Sequence, residues 1–299
     1  MDKLATRNVG IFSILVAVLL LALSDALVKG AGERLALAQL VFLRSTFAIL
    51  CILAFVSAFS SRSQRISLLG SRWVWVRSLC LAGMWISYYA ALPFMSLSLA
   101  AACYYTAPVW MALLSRVVFG EAIGLAKAAA VAIAFFGVLV AVNPWGSEPS
   151  PVALLAIAAA FLYAIAALVT GRRCQNEDPV TLALNLNLVL VICGAIGVLT
   201  LLVLAPTHAE GFVFSAWPRL QPADWGLILF LALMHPVIEV AVAKAYQLAS
   251  ATTIGVFDNA YLPFAALWSF LLLSQTPTWS EVIGMLLIAT AGVIIVRCR

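Results

Sequence analysis

The chain has 299 residues, of which 65% are apolar and 10% charged, and its formal net charge is +5. Soluble domains carry about 25% charged residues, so this composition excludes a soluble monomer and is typical of a protein that lies in lipid. The basic residues form no continuous stripe and no nucleic-acid-binding motif. The positive charge therefore indicates orientation in a membrane and argues against a nucleic-acid partner.

Long apolar stretches follow one another along the whole chain. A helix needs about 20 mostly apolar residues to cross a bilayer, and ten stretches meet this requirement. We number them as spans 1 to 10, at residues 9–30, 35–58, 73–93, 96–119, 123–143, 151–171, 180–205, 223–248, 251–274 and 280–297. Span 1 follows Lys3 and Arg7 and superficially resembles a secretory signal. We interpret it as a retained helix, because its removal would leave the first half one helix short.

Basic residues mark one set of span ends. That set carries Lys3, Arg7, Arg62, Arg65, Arg72, Arg172, Arg173, Arg297 and Arg299. The opposite set carries Lys29, Arg34 and Arg219. Because basic residues accumulate on the cytoplasmic side, both termini are expected in the cytoplasm.

Two parts of the chain echo each other. Pro108 precedes the sequence Ile133-Ala134-x-x-Gly137-Val138, and Pro263 precedes Ile288-Ala289-x-x-Gly292-Val293 at the same offset of 155 residues. A loop rich in proline and glycine lies between the halves, at 143–150. The sequence thus predicts an all-α polytopic membrane protein of ten transmembrane helices, arranged as a five-helix repeat at 1–145 and a second at 150–299. Because five is odd, the second repeat is inverted relative to the first.

Small residues recur every four positions in spans 5 and 10. They are Ala126, Ala130 and Ala134 in span 5, and Gly284 and Gly292 flanking Ile288 in span 10. Such spacing lets helix backbones approach closely in lipid. It favours packing within a monomer, and a homodimer interface is the alternative.

Several charged residues interrupt the spans, where a buried charge costs about 3 kcal/mol or more. Lys244 and Asp258 flank the tight turn between spans 8 and 9 at similar depth, so we predict an ion pair with either a structural or a gating role. Asp25 and Lys29 are four residues apart and are expected to form a local pair. Arg44 is either a contact between helices or an anion contact.

His235 and Glu239 share one face of span 8, and Pro236 between them is expected to bend the helix. They either line a cavity or satisfy one another between helices. No third ligand is apparent for a metal, and none of the six cysteines forms a C-x-x-C pair. We therefore predict no metal site and no cofactor.

Aromatic and polar residues concentrate in the middle spans. The predicted cavity residues are Trp85, Tyr88, Tyr89, Tyr104, Tyr105, Tyr163, His235, Glu239 and Asn259. Any single tyrosine could be a packing element, but the cluster suits a pocket for an uncharged or zwitterionic organic solute. Tyr104 and Asn259 occupy equivalent positions at the offset of 155 residues. Tyr104 lies one turn before Pro108, and Asn259 one turn before Pro263. We predict these two prolines and Pro236 as hinges.

These features resemble the drug/metabolite transporter superfamily in its EamA-type, ten-helix form. The resemblance rests on the two repeats, Pro108, Gly120-Glu121, the Ile-Ala-x-x-Gly-Val sequence and the matching second-half motif. Gln275-Thr276 departs from the pattern, because Gly-Glu would be expected there. Within the superfamily the aromatic density is most similar to bacterial aromatic amino-acid exporters. The resemblance implies efflux of aromatic or other neutral amino acids, or related metabolites, across the bacterial inner membrane.

The leading hypothesis is a solute exporter that works by alternating access, with its substrate between the repeats. A channel or facilitator is the alternative. An intramembrane enzyme is disfavoured because the chain has no G-x-G-D motif and no serine nucleophile with a histidine partner, and no catalytic residue is predicted. Coupling is left open: Glu239, His235 and Asp258 could bind a proton, or the solute gradient alone could drive transport.

Overall fold

All regular structure in the described residues is helical, which confirms the all-α class for this part of the chain. The computed structural model describes residues 3–59, 70–119, 124–142, 151–204, 211–249, 254 and 257–297. The helices are α1 Lys3–Ala31, α2 Leu37–Phe59, α3 Arg72–Ala91, α4 Leu97–Tyr104, α5 Ala107–Phe119, α6 Leu125–Val142, α7 Ala153–Arg173, α8 Pro179–Leu204, α9 Pro222–Leu248, α10 Tyr261–Leu273 and α11 Trp279–Arg297. A 3₁₀ turn, Leu92–Phe94, joins α3 to α4. The Gly120-Glu121 motif and the loop at 143–150 lie outside the described residues.

Six helical segments in the described residues are long and apolar enough to cross a membrane. They are Arg7–Ala31, Leu37–Ala58, Leu97–Val118, Ala153–Arg173, Pro179–Leu204 and Pro222–Leu248. Three shorter apolar segments, Ala128–Ala141, Tyr261–Leu273 and Trp279–Ile294, accompany them. Large apolar side chains also cover the outside: Phe12 is 70% exposed and Leu199 61%. Such a surface suits hydrocarbon better than water, which makes this a membrane protein.

Span 4, which follows the 3₁₀ turn, is not one continuous helix. Span 4 is divided into α4 and α5 at Tyr105 and Thr106, and α10 begins at Tyr261, within span 9. Pro108 and Pro263 each lie in the first turn of the helix that follows, where a missing backbone N–H costs no intrahelical bond. Pro236, in contrast, lies inside α9, which continues from Pro222 to Leu248.

Helices from the two halves of the chain interleave. Their main contacts are α1 with α9, α2 with α8, α3 with α7, and α6 with α11. Further contacts join α1 to α10, α7 to α4 and α5, α2 to α9, and α3 to α8. One large apolar core runs through these contacts, so the two halves share their interior.

The small residues of spans 5 and 10 mostly serve packing within the chain. Ala130 and Ala134 are buried against Ala291. A Cβ added to Gly284 would lie 2.6 Å from the carbonyl oxygen of Gly137, so the backbones of α6 and α11 meet there. Ala126 is exposed and takes no part in this contact. The homodimer alternative stays a prediction.

Candidate functional site

A cavity lies between the two halves of the chain. Its wall comes from α1, α3 and α4 of the first half and from α7, α9 and α10 of the second, together with Tyr105 and Asp258. The predicted cavity residues lie in spans 3, 4, 6, 8 and 9, and the structure adds α1 to the wall. Because both halves supply the wall, movement of one half against the other would change the shape of the cavity.

Helical spacing explains the face that α3 presents. Arg77, Leu81, Trp85 and Tyr88 follow one another at intervals of three or four residues, and all four line the cavity. A single helix thus places a guanidinium at one level of the cavity and two aromatic rings at another.

Aromatic rings form a nearly continuous surface. The ring centroids of Tyr88 and Tyr104 are 5.3 Å apart, and those of Tyr104 and Tyr163 are 5.4 Å apart. Tyr105 and Tyr261 stack at 5.1 Å. Tyr246 completes the set from α9. These rings offer both π faces and hydroxyl groups to a guest molecule.

Besides Glu239, two buried carboxyls face the same cavity, Asp25 and Asp258. Tyr261 donates a 2.6 Å hydrogen bond to Asp25 Oδ2, and its hydroxyl shares a 2.9 Å hydrogen bond with Tyr88. Asp258 accepts longer hydrogen bonds, from Tyr105 at 3.5 Å, Tyr163 at 3.3 Å and Tyr246 at 3.4 Å. Tyrosine hydroxyls are therefore the hydrogen-bond partners of both carboxyls.

A buried ion pair spans the two halves. Arg77 Nη2 lies 3.5 Å from Glu239 Oε2, and the two side chains are 2% and 6% exposed. Arg77 also donates to the Thr170 hydroxyl at 2.9 Å and to the Leu182 carbonyl at 3.3 Å. All four groups belong to different helices, so one guanidinium connects α3 to α7, α8 and α9.

Six of the nine predicted cavity residues line the wall. They are Trp85, Tyr88, Tyr104, Tyr105, Tyr163 and Glu239. A role in substrate binding stays a prediction for each of them.

The other three predicted cavity residues are not part of the wall. Tyr89 accepts a 2.9 Å hydrogen bond from Arg44, which also lies over the Trp85 ring at 5.1 Å. His235 packs edge-on against Trp85, with ring centroids 5.3 Å apart. Asn259 is buried beside Gly292, where an added Cβ would overlap its side chain. Arg44 thus serves as a contact between helices, one of its two predicted roles.

The predicted ion pair between Lys244 and Asp258 is wrong. Lys244 is exposed, whereas Asp258 is buried beside Tyr246. Side chains two positions apart in a helix point about 200° apart, so Lys244 and Tyr246 face opposite sides of α9. Similar depth brought the two charges to one level but did not place them on one face.

The predicted local pair of Asp25 and Lys29 is also wrong. The Lys29 ammonium donates to the carbonyl oxygens of Leu92 and Met95, at 2.8 and 2.6 Å. Both carbonyls lie at the 3₁₀ turn, so the turn supplies two acceptors for the ammonium group. Asp25 instead turns toward the cavity and Tyr261.

Four charged or aromatic wall residues were not predicted as site residues: Asp25, Arg77, Tyr246 and Tyr261. Two of them carried a readable signal. Arg77 lies eight residues before Trp85, and Tyr261 lies three after Asp258, so each shares a helical face with a predicted site residue. Asp25 carried no such signal, because Lys29 at the i+4 position suggested a local partner.

The sequence was compared with protein families and with known proteins. A model of the EamA-like transporter family matches residues 8–143 and again residues 150–297. The chain is 27% identical over 213 residues to a riboflavin transporter of Rhizobium johnstonii, and 26% identical over 176 residues to a riboflavin transporter of Vibrio cholerae. It spans 65% and 53% of the lengths of those two relatives, and the matches cover 71% and 58% of this chain.

Two further matches cover nearly the whole chain. The pseudopaline exporter CntI of Pseudomonas aeruginosa is 26% identical over 290 residues, which is 97% of this chain and 94% of the exporter. A crystal structure that is 19% identical superposes with a TM-score of 0.64 and covers 98% of both chains, which supports the fold alone. These relatives do not support the expected similarity to aromatic amino-acid exporters. Because the family model matches both halves and nearly the whole sequence, the chain belongs to the EamA-like transporter family, whose members here are transporters of small metabolites.

Proposed function

We propose that the protein is a secondary transporter that exports small aromatic metabolites by alternating access. Aromatic and other neutral amino acids are one candidate class, and flavins are another. The observation that carries the proposal is the tyrosine-rich cavity between the two halves, with carboxyls and a guanidinium in its wall. Flat rings can stack on its π faces, and polar substituents can bind its hydroxyl and charged groups.

The pattern of helix contacts supports an inverted repeat of ten spans. Exchanging the halves, so that α1, α2, α3 and α6 replace α7, α8, α9 and α11, converts the contact of α1 with α9 into that of α7 with α3. The contacts of α2 with α8 and of α6 with α11 each map onto themselves. This exchange symmetry is expected of two repeats around a pseudo-twofold axis, and an odd number of spans per repeat makes them inverted.

Contacts between the halves on two sides of the cavity support alternating access. Ser96, before α4, donates a hydrogen bond to Glu281 of α11, and Arg34 lies 3.6 Å from Asp224 of α9. Toward the opposite ends of α3 and α9, Arg77 and Glu239 join the halves. We propose that these two sets break in turn, with Pro108, Pro236 and Pro263 as hinges.

We propose the bacterial inner membrane as the location, with both termini in the cytoplasm. The excess of basic residues at the ends bearing the termini supports this orientation. We also propose that the protein is a monomer and no enzyme, so that a transported solute emerges chemically unchanged.

Uptake into proteoliposomes tests the function. Purified protein is reconstituted, and a panel of aromatic amino acids, aliphatic neutral amino acids and riboflavin is offered. We expect saturable movement of at least one aromatic solute, recovered intact by mass spectrometry. If no member of the panel crosses faster than in empty vesicles, the proposal fails. Movement that does not saturate with solute would instead indicate a channel.

A matched pair of variants ties transport to the cavity. Tyr88→Ala removes a ring from the wall, whereas Phe12→Ala removes a ring that is 70% exposed on the outer surface. Tyr88→Ala should raise the solute concentration for half-maximal transport about tenfold, the equivalent of about 1.4 kcal/mol of lost contact. Phe12→Ala should leave that concentration unchanged. Equal behaviour of the two variants would argue against the cavity as the route.

A further inference from the structure

We propose that Asp258 and the rings of Tyr104, Tyr105, Tyr163 and Tyr246 form a subsite for an organic ammonium group, which exchanges there with a proton. We call these five residues the Asp258 cage. The inference rests on the proposed transport function, because it treats the cavity as the substrate site. It narrows the substrate class to solutes that carry an amine.

The hydrogen bonds of Asp258 leave room for a stronger partner. Its contacts with three tyrosine hydroxyls measure 3.3 to 3.5 Å, whereas O–H···O bonds are usually about 2.7 to 2.8 Å. Asp25, another carboxyl in the wall, already accepts a 2.6 Å bond from Tyr261. Both side chains are buried, at 6% and 2% exposure. Both oxygens of Asp258 are therefore held only by long bonds, which a closer donor could replace.

No positive charge pairs with Asp258 among the described residues. The basic groups near the cavity have other partners: Arg77 binds Glu239, Thr170 and the Leu182 carbonyl, and Arg44 binds Tyr89. Lys244 is exposed. The groups that face Asp258 are tyrosines from each neighbouring element: Tyr104 and Tyr105 at the end of α4, Tyr163 of α7 and Tyr246 of α9.

The rings around this carboxyl complete the chemistry of an ammonium site. Tyr104 lies 5.4 Å from both Tyr105 and Tyr163, centroid to centroid, so its ring bridges two tyrosines that bind Asp258. Aromatic faces attract organic cations, and a carboxylate accepts charge-assisted hydrogen bonds from them. A carboxylate group of a solute would be repelled by the same subsite. In a zwitterion it would be accommodated elsewhere in the cavity, where Arg77 lines the wall.

An ammonium group and a proton exchange on Asp258 because a lone buried charge is costly. Without a cation, ionised Asp258 would be uncompensated in the membrane interior, so the empty cage holds a proton on the carboxyl. When an ammonium group enters, that proton leaves. One positive charge replaces another, and the charge of the cavity and its guest stays constant. Transport of one amine should therefore move one proton in the opposite direction.

Two compounds that differ in a single group test the subsite. 2-Phenylethylamine and 2-phenylethanol are titrated into the purified protein by calorimetry at neutral pH. We expect the amine to bind at least about tenfold more tightly, and Asp258→Asn to remove that preference. Comparing buffers of different ionisation enthalpy should show release of about one proton per amine in the unaltered protein and none in Asp258→Asn. Glu33→Gln, which neutralises an exposed carboxyl outside the cavity, should retain both results.

A second pair of variants does not depend on the folding of Asp258→Asn. Tyr104→Phe keeps the ring and should keep the preference for the amine, whereas Tyr104→Leu removes the ring and should reduce it. The proposal is overturned if amine and alcohol bind equally, if neither binds, or if Asp25→Asn rather than Asp258→Asn removes the preference. Transport of phenylalanine or riboflavin without any preference for the amine would leave the transport function standing and reject the subsite. A failure of the whole panel to cross would reject the transport function.

Discussion

Arg77 makes its contacts where a charge is most costly. Its guanidinium is 2% exposed and binds Glu239, Thr170 and a backbone carbonyl, each from a different helix. Arg34 forms the other ion pair between described residues, with Asp224, but its side chain is 52% exposed. The Arg77 pair is therefore buried, whereas the Arg34 pair is exposed to solvent on its arginine side.

Removing one partner of the buried pair should destabilise the protein strongly. Glu239→Leu leaves the Arg77 charge uncompensated, which is expected to lower the free energy of unfolding by about 3–5 kcal/mol. The double variant Arg77→Met with Glu239→Leu should regain most of that loss, because no lone charge remains. Arg34→Ala should cost at most about 1 kcal/mol. Thermal unfolding in detergent measures all three, and a Glu239→Leu variant as stable as the unaltered protein would contradict the expectation.

At the scale of single helices, the contact of α6 with α11 depends on glycine. Any Cβ on Gly284 would lie 2.6 Å from the Gly137 carbonyl oxygen, and one on Gly137 would lie 3.0 Å from that of Gly284. The two backbones therefore meet at these glycines, with the Ala141 side chain beside them. The repeated Ile-Ala-x-x-Gly-Val sequence contributes Gly137 to this contact, and Gly292 from the second copy packs beside Asn259.

Enlarging one glycine should separate these helices. Gly284→Ala places a methyl group against backbone that cannot move aside cheaply, so we expect a fall in melting temperature. Gly226→Ala is the matched control, because a Cβ there meets nothing within 4 Å. That change should be neutral or stabilising by about 0.5–1 kcal/mol, since alanine favours a helix. An equal response to both changes would show that the close contact contributes little.

The helices could be predicted from the sequence more fully than their interruptions. The length of each apolar run predicted where helices lie, and Pro108 and Pro263 indicated where two of them are interrupted. The interruption at Tyr105 and Thr106 nevertheless lies before Pro108, because proline suits the first turn of a new helix. Pro236 is held within continuous α9, since neighbouring helices supply packing that sequence alone does not reveal.

At the scale of the whole molecule, the interleaving of the halves accounts for the position of the cavity. α1 of the first half packs on α9 of the second, and α7 of the second packs on α3 of the first. Both halves thus contribute helices to the cavity wall. The proposed inverted topology makes these contacts equivalent across the membrane.

Labelling of introduced cysteines checks that topology. In a background without native cysteines, Glu33→Cys and Gln175→Cys each place a thiol at an exposed position. A membrane-impermeant maleimide should label Glu33→Cys in intact spheroplasts, and Gln175→Cys after permeabilisation. Labelling of both positions in intact spheroplasts, or the reverse pattern, would reject cytoplasmic termini.

By itself the sequence determined the membrane class, the all-helical fold, the repeated motif and most of the aromatic wall. These follow from the length, period and composition of local segments, and α3 shows why: the spacing of Trp85 and Tyr88 places them on one face of a helix. Only the tertiary structure decided which charges meet. Asp25 contacts Tyr261 and not Lys29, and Asp258 contacts three tyrosines and not Lys244. Arg77 contacts Glu239. The rotation of each helix about its axis selects these partners, and that rotation depends on packing against helices distant in sequence.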